Sequence, residues 1–181
     1  MKKFFTLALA LVAMAFTATQ VSAQGFQLPN MQVTSKAFAD GTVIPIKYTS
    51  HGDNIQPDFT ITGAPATTVS YAIIMHDIEV ALGGNTDDVT HWVAFNIPSP
   101  NIAEGSLPDG SVNGSNIRGP GYMGSGAPLK DRFHHYVFEF YALGSNLDLP
   151  EGASRADVMA AMQGKVVAKA AYVGRYANAQ P

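Results

Sequence analysis

A mostly β chain with one or two peripheral helices is what this sequence predicts, on three observations. Residues 133–143 (FHHYVFEFYAL) alternate sides at a period of two, placing His134, Tyr136, Phe138, Phe140 and Ala142 on one face and His135, Val137, Glu139 and Tyr141 on the other. Other apolar runs have strand length and are separated by clusters of Gly, Pro, Asn and Asp. One convincing helix signature is present, and it comes late, at 154–164.

Taken in order, the chain opens with Lys2 and Lys3, an apolar run over residues 4–16, and small residues ending in Val21-Ser22-Ala23. A basic head, a short hydrophobic region and a Val-x-Ala site before Gln24 describe a cleavable secretory signal, so residues 1–23 are set apart and 24–181 are read as a single domain. A periplasmic or secreted location follows, with no second hydrophobic span after cleavage. Without Lys2 and Lys3, nine basic residues face fourteen acidic ones, a formal charge of −5. That balance argues against nucleic acid or an anionic membrane surface as partner. The chain has no cysteine, which excludes disulfides, thiolate nucleophiles and Cys-ligated zinc.

Residues 31–35, 42–49 and 59–62 read as strands, separated by Asp40-Gly41, Gly52-Asp53 and a turn at 63–65. Residues 69–75 (VSYAIIM) form a nearly continuous apolar run ending in His76-Asp77, the pattern of a central strand that delivers polar groups at its end. Residues 90–98 (THWVAFNIP) are expected to set His91, Val93, Phe95 and Ile97 on one face, so that His91 begins a buried strand as His134 does. Residues 99–132 have no sustained period and are dense in Gly and Pro; a connection of that length beside His134 points to a site. Ser154 and Asp157 resemble a capping box, Val158, Met159 and Met162 give the apolar stripe, and Gly164 ends the helix. A last strand is expected over 165–174.

The blocks GDNIQPDF (52–59), HWVAFNIP (91–98), GYMGSGAP with HHYVFEFYAL (121–143) and LDLPEGASRADVMAAMQG (147–164) resemble the phosphatidylethanolamine-binding protein family, in its bacterial YbhB/YbcL-type branch, also called Raf kinase inhibitor-like. The resemblance spans nearly all of the mature chain in the right order. It implies a β-sandwich of one large antiparallel sheet packed on a smaller one, with a shallow anion pocket at one edge that accepts phosphate or phospholipid head groups. Residue by residue, the family's two acidic positions fall on Asp77 and Glu79, its strand-opening histidine on His91, its His-x-Tyr on His134 and Tyr136, and its loop element on Gly126 and Pro128. The family's Asp-Pro-Asp-Ala-Pro reads here Asp77-Ile78-Glu79-Val80-Ala81, with both acids kept and both prolines lost, so this rim is expected to differ in shape.

These residues suit anion binding. Two imidazoles and a phenol supply donors, a glycine-rich loop can turn N–H groups inward, and a carboxylate can orient an imidazole and favour its charge. Such a site needs no nucleophile, no metal and no cofactor, and its affinity is expected to fade as pH rises through the imidazole pKa values, ordinarily about 6.5. The same histidines also suit hydrogen-bonded positions at the core rim, and His76 and His135, which point the other way, suit structural roles. Three other classes stand beside the binder. A metal-dependent hydrolase or lyase would use His91, His134, Asp77 and Glu79 or His76, although no H-x-H or H-E-x-x-H spacing is present. A serine hydrolase has only Gly124-Ser125-Gly126, a fragment of the required elbow. A module that modulates a partner such as a kinase or protease is implied by the family's second name, and export makes a cytosolic kinase an awkward partner.

Overall fold

The computed structural model describes residues 29–178, and the export signal expected over 1–23 lies outside the described residues. Ten strands form there: β1 (Gln32–Thr34), β2 (Phe59–Thr62), β3 (Ser70–Asp77), β4 (Val89–Ile97), β5 (Asn101–Ile102), β6 (Val112–Asn113), β7 (Ser115–Asn116), β8 (Gly119–Pro120), β9 (His134–Leu143) and β10 (Val166–Tyr176). One α-helix, α1 (Arg155–Ala161), joins them. The large sheet has the order β10-β9-β3-β4-β6, a smaller one β1-β2-β5, and β7-β8 form a separate hairpin. Every pairing between these strands is antiparallel.

The large sheet is covered on both faces. One face packs on the small sheet, where Phe59 lies 5.2 Å from Phe138 and 5.0 Å from Phe140, ring centre to ring centre. Ile73, Met75, Tyr136 and Phe138 complete that layer. On the other face Ile74, Phe95, Tyr141 and Leu143 meet Val158 and Met162 of the helix. Burial on both sides explains why every residue of β3 is buried and why its sequence is a continuous apolar run. The helix begins as its sequence suggests: Ser154 Oγ accepts from the Asp157 N–H, and the Asp157 carboxylate accepts from the Ser154 N–H, 3.1 Å each.

Two expectations are corrected. Residues 42–49 are not a strand: Val43 makes one parallel bridge to Arg175, and Ile46–Tyr48 form a 3-10 turn. Pro45 has no N–H to continue a ladder, and its fixed φ starts the turn instead. Nor do His91, Val93, Phe95 and Ile97 share a face. The pairing of β4 with β3 slips twice, between Trp92 and Thr90 and again between Ile97 and Ala94, where Asn96 has φ +55°. Each extra residue reverses the alternation, so Trp92, Ala94 and Ile97 face the small sheet while Val93 and Phe95 face the helix. Residues 99–132 contain β5 to β8, each two residues long.

Candidate functional site: a cavity at one edge of the large sheet

Antiparallel pairing puts the end of β3 beside the starts of β4 and β9. Asp77 is opposite Val89 on one side and Tyr136 on the other. Asp77, His91 and His134 therefore meet at one edge although they are distant in sequence, and all three line a cavity of about 250 Å³ together with Arg118, Gly126 and Pro128. The bulge in β4 turns His91 toward this face, where its ring stands edge-on to Tyr136 at 5.1 Å. Two shallow clefts of about 600 and 660 Å³ lie elsewhere and hold none of these residues.

The loop over the cavity is fixed by its own hydrogen bonds. Met123 N–H donates to the His91 carbonyl at 2.9 Å, and Gly124 N–H donates to Asn54 Oδ1 at 2.7 Å. Gly124 must be glycine, because a Cβ there would stand 2.5 Å from the Tyr48 carbonyl oxygen. Gly126 N–H donates to the Tyr136 hydroxyl at 3.2 Å. The expected inward fan of loop N–H groups is thus not open to a ligand at Met123, Gly124 or Gly126. Tyr136 is fully buried under the cavity; burial, then Asp77, pushes its phenol pKa up, so it stays protonated and donates to Asp77.

The pKa values of the two histidines are shifted in opposite directions. His134 Nδ1 donates to Asp77 Oδ2 at 2.8 Å, and its Nε2 donates to Asp131 Oδ2 at 3.2 Å. Burial works to lower its pKa, but the hydrogen bonds and charges of Asp77 and Asp131 outweigh burial, and the net shift is upward. His91 goes the other way. Burial is the largest cause and lowers its pKa, Arg118 adds to that, and the Met123 and Gly124 carbonyls and Asp77 recover only part. Its Nδ1–H is shared between those two carbonyls, 3.1 Å from each. His134 is thus biased toward its charged form, which its two carboxylate partners match, and His91 toward its neutral form.

Glu79 does not line the cavity. Its carboxylate accepts from His135 N–H and from His135 Nδ1, both at 2.7 Å, and these outweigh burial to hold it below the ordinary carboxylate range. Asp77, Glu79 and His134 still offer ligand atoms within 4.8 Å of one another, the spacing a metal ion needs. His76 is on the opposite face with Asp88, as its alternation implies. Sequence reasoning overlooked Arg118 and Asp131. Arg118 sits at the tip of the β7–β8 hairpin, whose Asn116-x-x-Gly119 turn was the available signal. Asp131 is three residues before His134 in a stretch without period, and nothing local announces its contact.

Among known proteins, the family model described as phosphatidylethanolamine-binding protein matches residues 34–177. The UPF0098 protein of Methanothermobacter thermautotrophicus is 40% identical over 154 residues, covering 81% of this chain and 98% of that protein. Two crystal structures are similar. A phosphatidylethanolamine-binding protein homolog of Chlamydia trachomatis has a TM-score of 0.74 at 34% identity, covering 82% of this chain and 98% of that one. E. coli YbcL, described as a member of the mammalian PEBP family, has a TM-score of 0.73 at 27% identity, covering 81% and 97%. With the two-sheet fold, the three strand ends and the matched length in agreement, the chain belongs to the phosphatidylethanolamine-binding protein family and is of the YbcL type.

Proposed function

We propose that this chain is an exported binder of small anions, phosphate or a phosphorylated head group, and that the cavity at Asp77, His91 and His134 is where the anion sits. The observation that carries this reading is the convergence of the three residues, each 4% exposed or less, on one solvent-reachable hollow. Polar side chains that converge on a concave, solvent-reachable hollow are the pattern of a small-ligand site. Asp77 and Tyr136 hold His134 from below, Gly126 and Pro128 form a wall, and Glu79 fixes the β9 entry through His135. The export reading rests on the pattern over residues 1–23. Calorimetric titration with phosphate and with phosphorylethanolamine tests the pocket. Saturable binding weakened by His91→Ala and His134→Ala supports it, and binding indifferent to both substitutions removes the assignment. Terminal sequencing of the exported product tests the leader, and retention of Met1 to Ala23 would contradict it.

A metal-dependent hydrolase or lyase is the second reading, favoured by the spacing of Asp77, Glu79 and His134. Each is engaged by protein partners: His134 by Asp77 and Asp131, Glu79 by His135. A metal would have to displace these contacts. Metal analysis of the purified chain, with phosphoester turnover lost in Asp77→Ala, would replace the binder with the enzyme.

A further inference from the structure

Six polar side chains line the cavity, and four of them are fully engaged by the protein. Ser50 Oγ donates to the Ser125 carbonyl at 3.1 Å. His51 uses one ring nitrogen with the Tyr176 hydroxyl and the other with the Asn178 amide. Asp77 accepts from His134 and from the Glu79 N–H, and His134 is committed at both nitrogens. Two groups remain. The Arg118 guanidinium has no hydrogen bond or ion pair with any side chain among the described residues, and the same holds for His91 Nε2. His91 Nε2 is also not among the sealed, unpaired atoms of the interior, so it keeps access to the cavity.

Their chemistry differs in sign. Arg118 offers a planar set of donors and a permanent positive charge, suited to a tetrahedral oxyanion. His91 offers the reverse. Two carbonyl oxygens can only accept, so the proton of its neutral ring is on Nδ1, and Nε2 presents a lone pair. Arg118 is carried over the opening by the two-residue turn between β7 and β8, held by its own N–H donating to Asn116 Oδ1 at 2.7 Å. It is thus a cation without a side-chain partner among the described residues, on a braced support. An anion that meets both groups must accept from one and donate to the other.

We propose that Arg118 and His91 Nε2 are the specificity-determining groups of the pocket, and that they select an oxyanion carrying its own hydrogen-bond donor: a phosphate group that retains a proton, or one with an ammonium beside it. The inference rests on the anion-binding reading above and narrows it. A fully deprotonated oxyanion such as sulfate would set its oxygens against the Nε2 lone pair and leave that buried acceptor unmet. A protonated phosphate places its P–OH there while its other oxygens face Arg118. The second ionisation of a phosphate monoester falls near pH 6, so a donor is still present close to neutrality.

The test is calorimetry of the full chain with inorganic phosphate, sulfate and phosphorylethanolamine, each at about pH 6.5, where the phosphates keep a useful fraction of that proton. Wild type is expected to hold phosphate about tenfold or more tighter than sulfate. Arg118→Gln, an exposed substitution that leaves the core untouched, is expected to weaken phosphate by about tenfold or more. Tighter phosphorylethanolamine than phosphate would assign a head group, and equal affinity a free phosphate; either fits the selection rule. Nitrogen NMR of the His91 ring gives a readout that needs no variant, with Nε2 unprotonated and accepting a hydrogen bond when phosphate is bound. Equal affinity for sulfate and phosphate, an Arg118→Gln chain that binds as wild type does, or a His91 ring protonated at both nitrogens in the complex would overturn the proposal while leaving the pocket standing. Failure of all three anions to bind wild type would remove the pocket reading itself.

Discussion

Strand β3 ends in two adjacent residues that point to opposite faces, and each belongs to a histidine–carboxylate pair. Asp77 meets His134 at 2.8 Å, and His76 meets Asp88 at 2.5 Å. By contact alone the two look alike. Their surroundings separate them: on the His76 side Arg155 pairs with Asp88, Glu139 lies 3.7 Å from His76 Nε2, and that nitrogen is sealed from solvent. The His134 pair stands beside a cavity that also holds His91, with its Nε2 uncommitted, and a guanidinium, Arg118, that has no side-chain partner among the described residues. An imidazole on a carboxylate is therefore a common structural device, and what marks a site is the uncommitted chemistry next to it.

The largest separation between the two pairs is expected on removing their carboxylates. Asp77→Ala leaves His134 buried with only exposed Asp131 as partner and should cost about 3 kcal/mol of stability, with anion binding lost. Asp88→Ala should cost about 2 kcal/mol and leave anion binding intact, since its pair is more open to water. Urea denaturation with calorimetry on both variants reads this. Equal binding defects in the two would erase the distinction. Next in size, Gly124→Ala should destabilise by about 2 kcal/mol and loosen the loop over His91, because the added Cβ meets rigid backbone at Tyr48 and Thr49. A wild-type stability for that variant would show that the loop is not held as described.

Much of the fold was legible because the large sheet obeys simple alternation. Residues 133–143 gave their faces correctly, 69–75 read as the central strand they form, and the capping box at Ser154 placed the helix. Alternation failed in β4, since a bulge is set by pairing with a neighbour and leaves no mark on the strand's own period. Pro45 was the readable warning against a strand over 42–49. The convergence of Asp77, His91 and His134 came from the family resemblance and is a property of antiparallel topology. The opposite pKa shifts of the two histidines were not legible, because they depend on burial, on carbonyls at Met123 and Gly124 and on Asp131, none of which the local pattern announces.

Those opposite shifts sharpen the comparison through pH. The raised His134 pKa means its contribution to stability is present below the unfolded value of about 6.5 and is lost as pH rises through the higher folded value. The lowered His91 pKa gives the opposite sign: its contribution is present above about 6.5 and is lost as pH falls through the lower folded value. Stability of wild type minus His134→Gln should therefore fall toward alkaline pH, and wild type minus His91→Gln should fall toward acid. Two differences with the same slope would refute the assignment. The smallest effect is expected at Ser154→Ala, about 1 kcal/mol from the lost cap, with no change in anion affinity.

The proposed function requires an anion to enter at Asp77, His91 and His134 and not beside His76 and Asp88. A crystal of the chain soaked with phosphorylethanolamine locates it directly. The predicted result is a phosphate group in the 250 Å³ cavity, within hydrogen-bonding reach of Arg118 and His91 Nε2. An anion seated instead at Arg155, in the cleft beside Asp88, or a cavity that stays empty at saturating ligand, would contradict it.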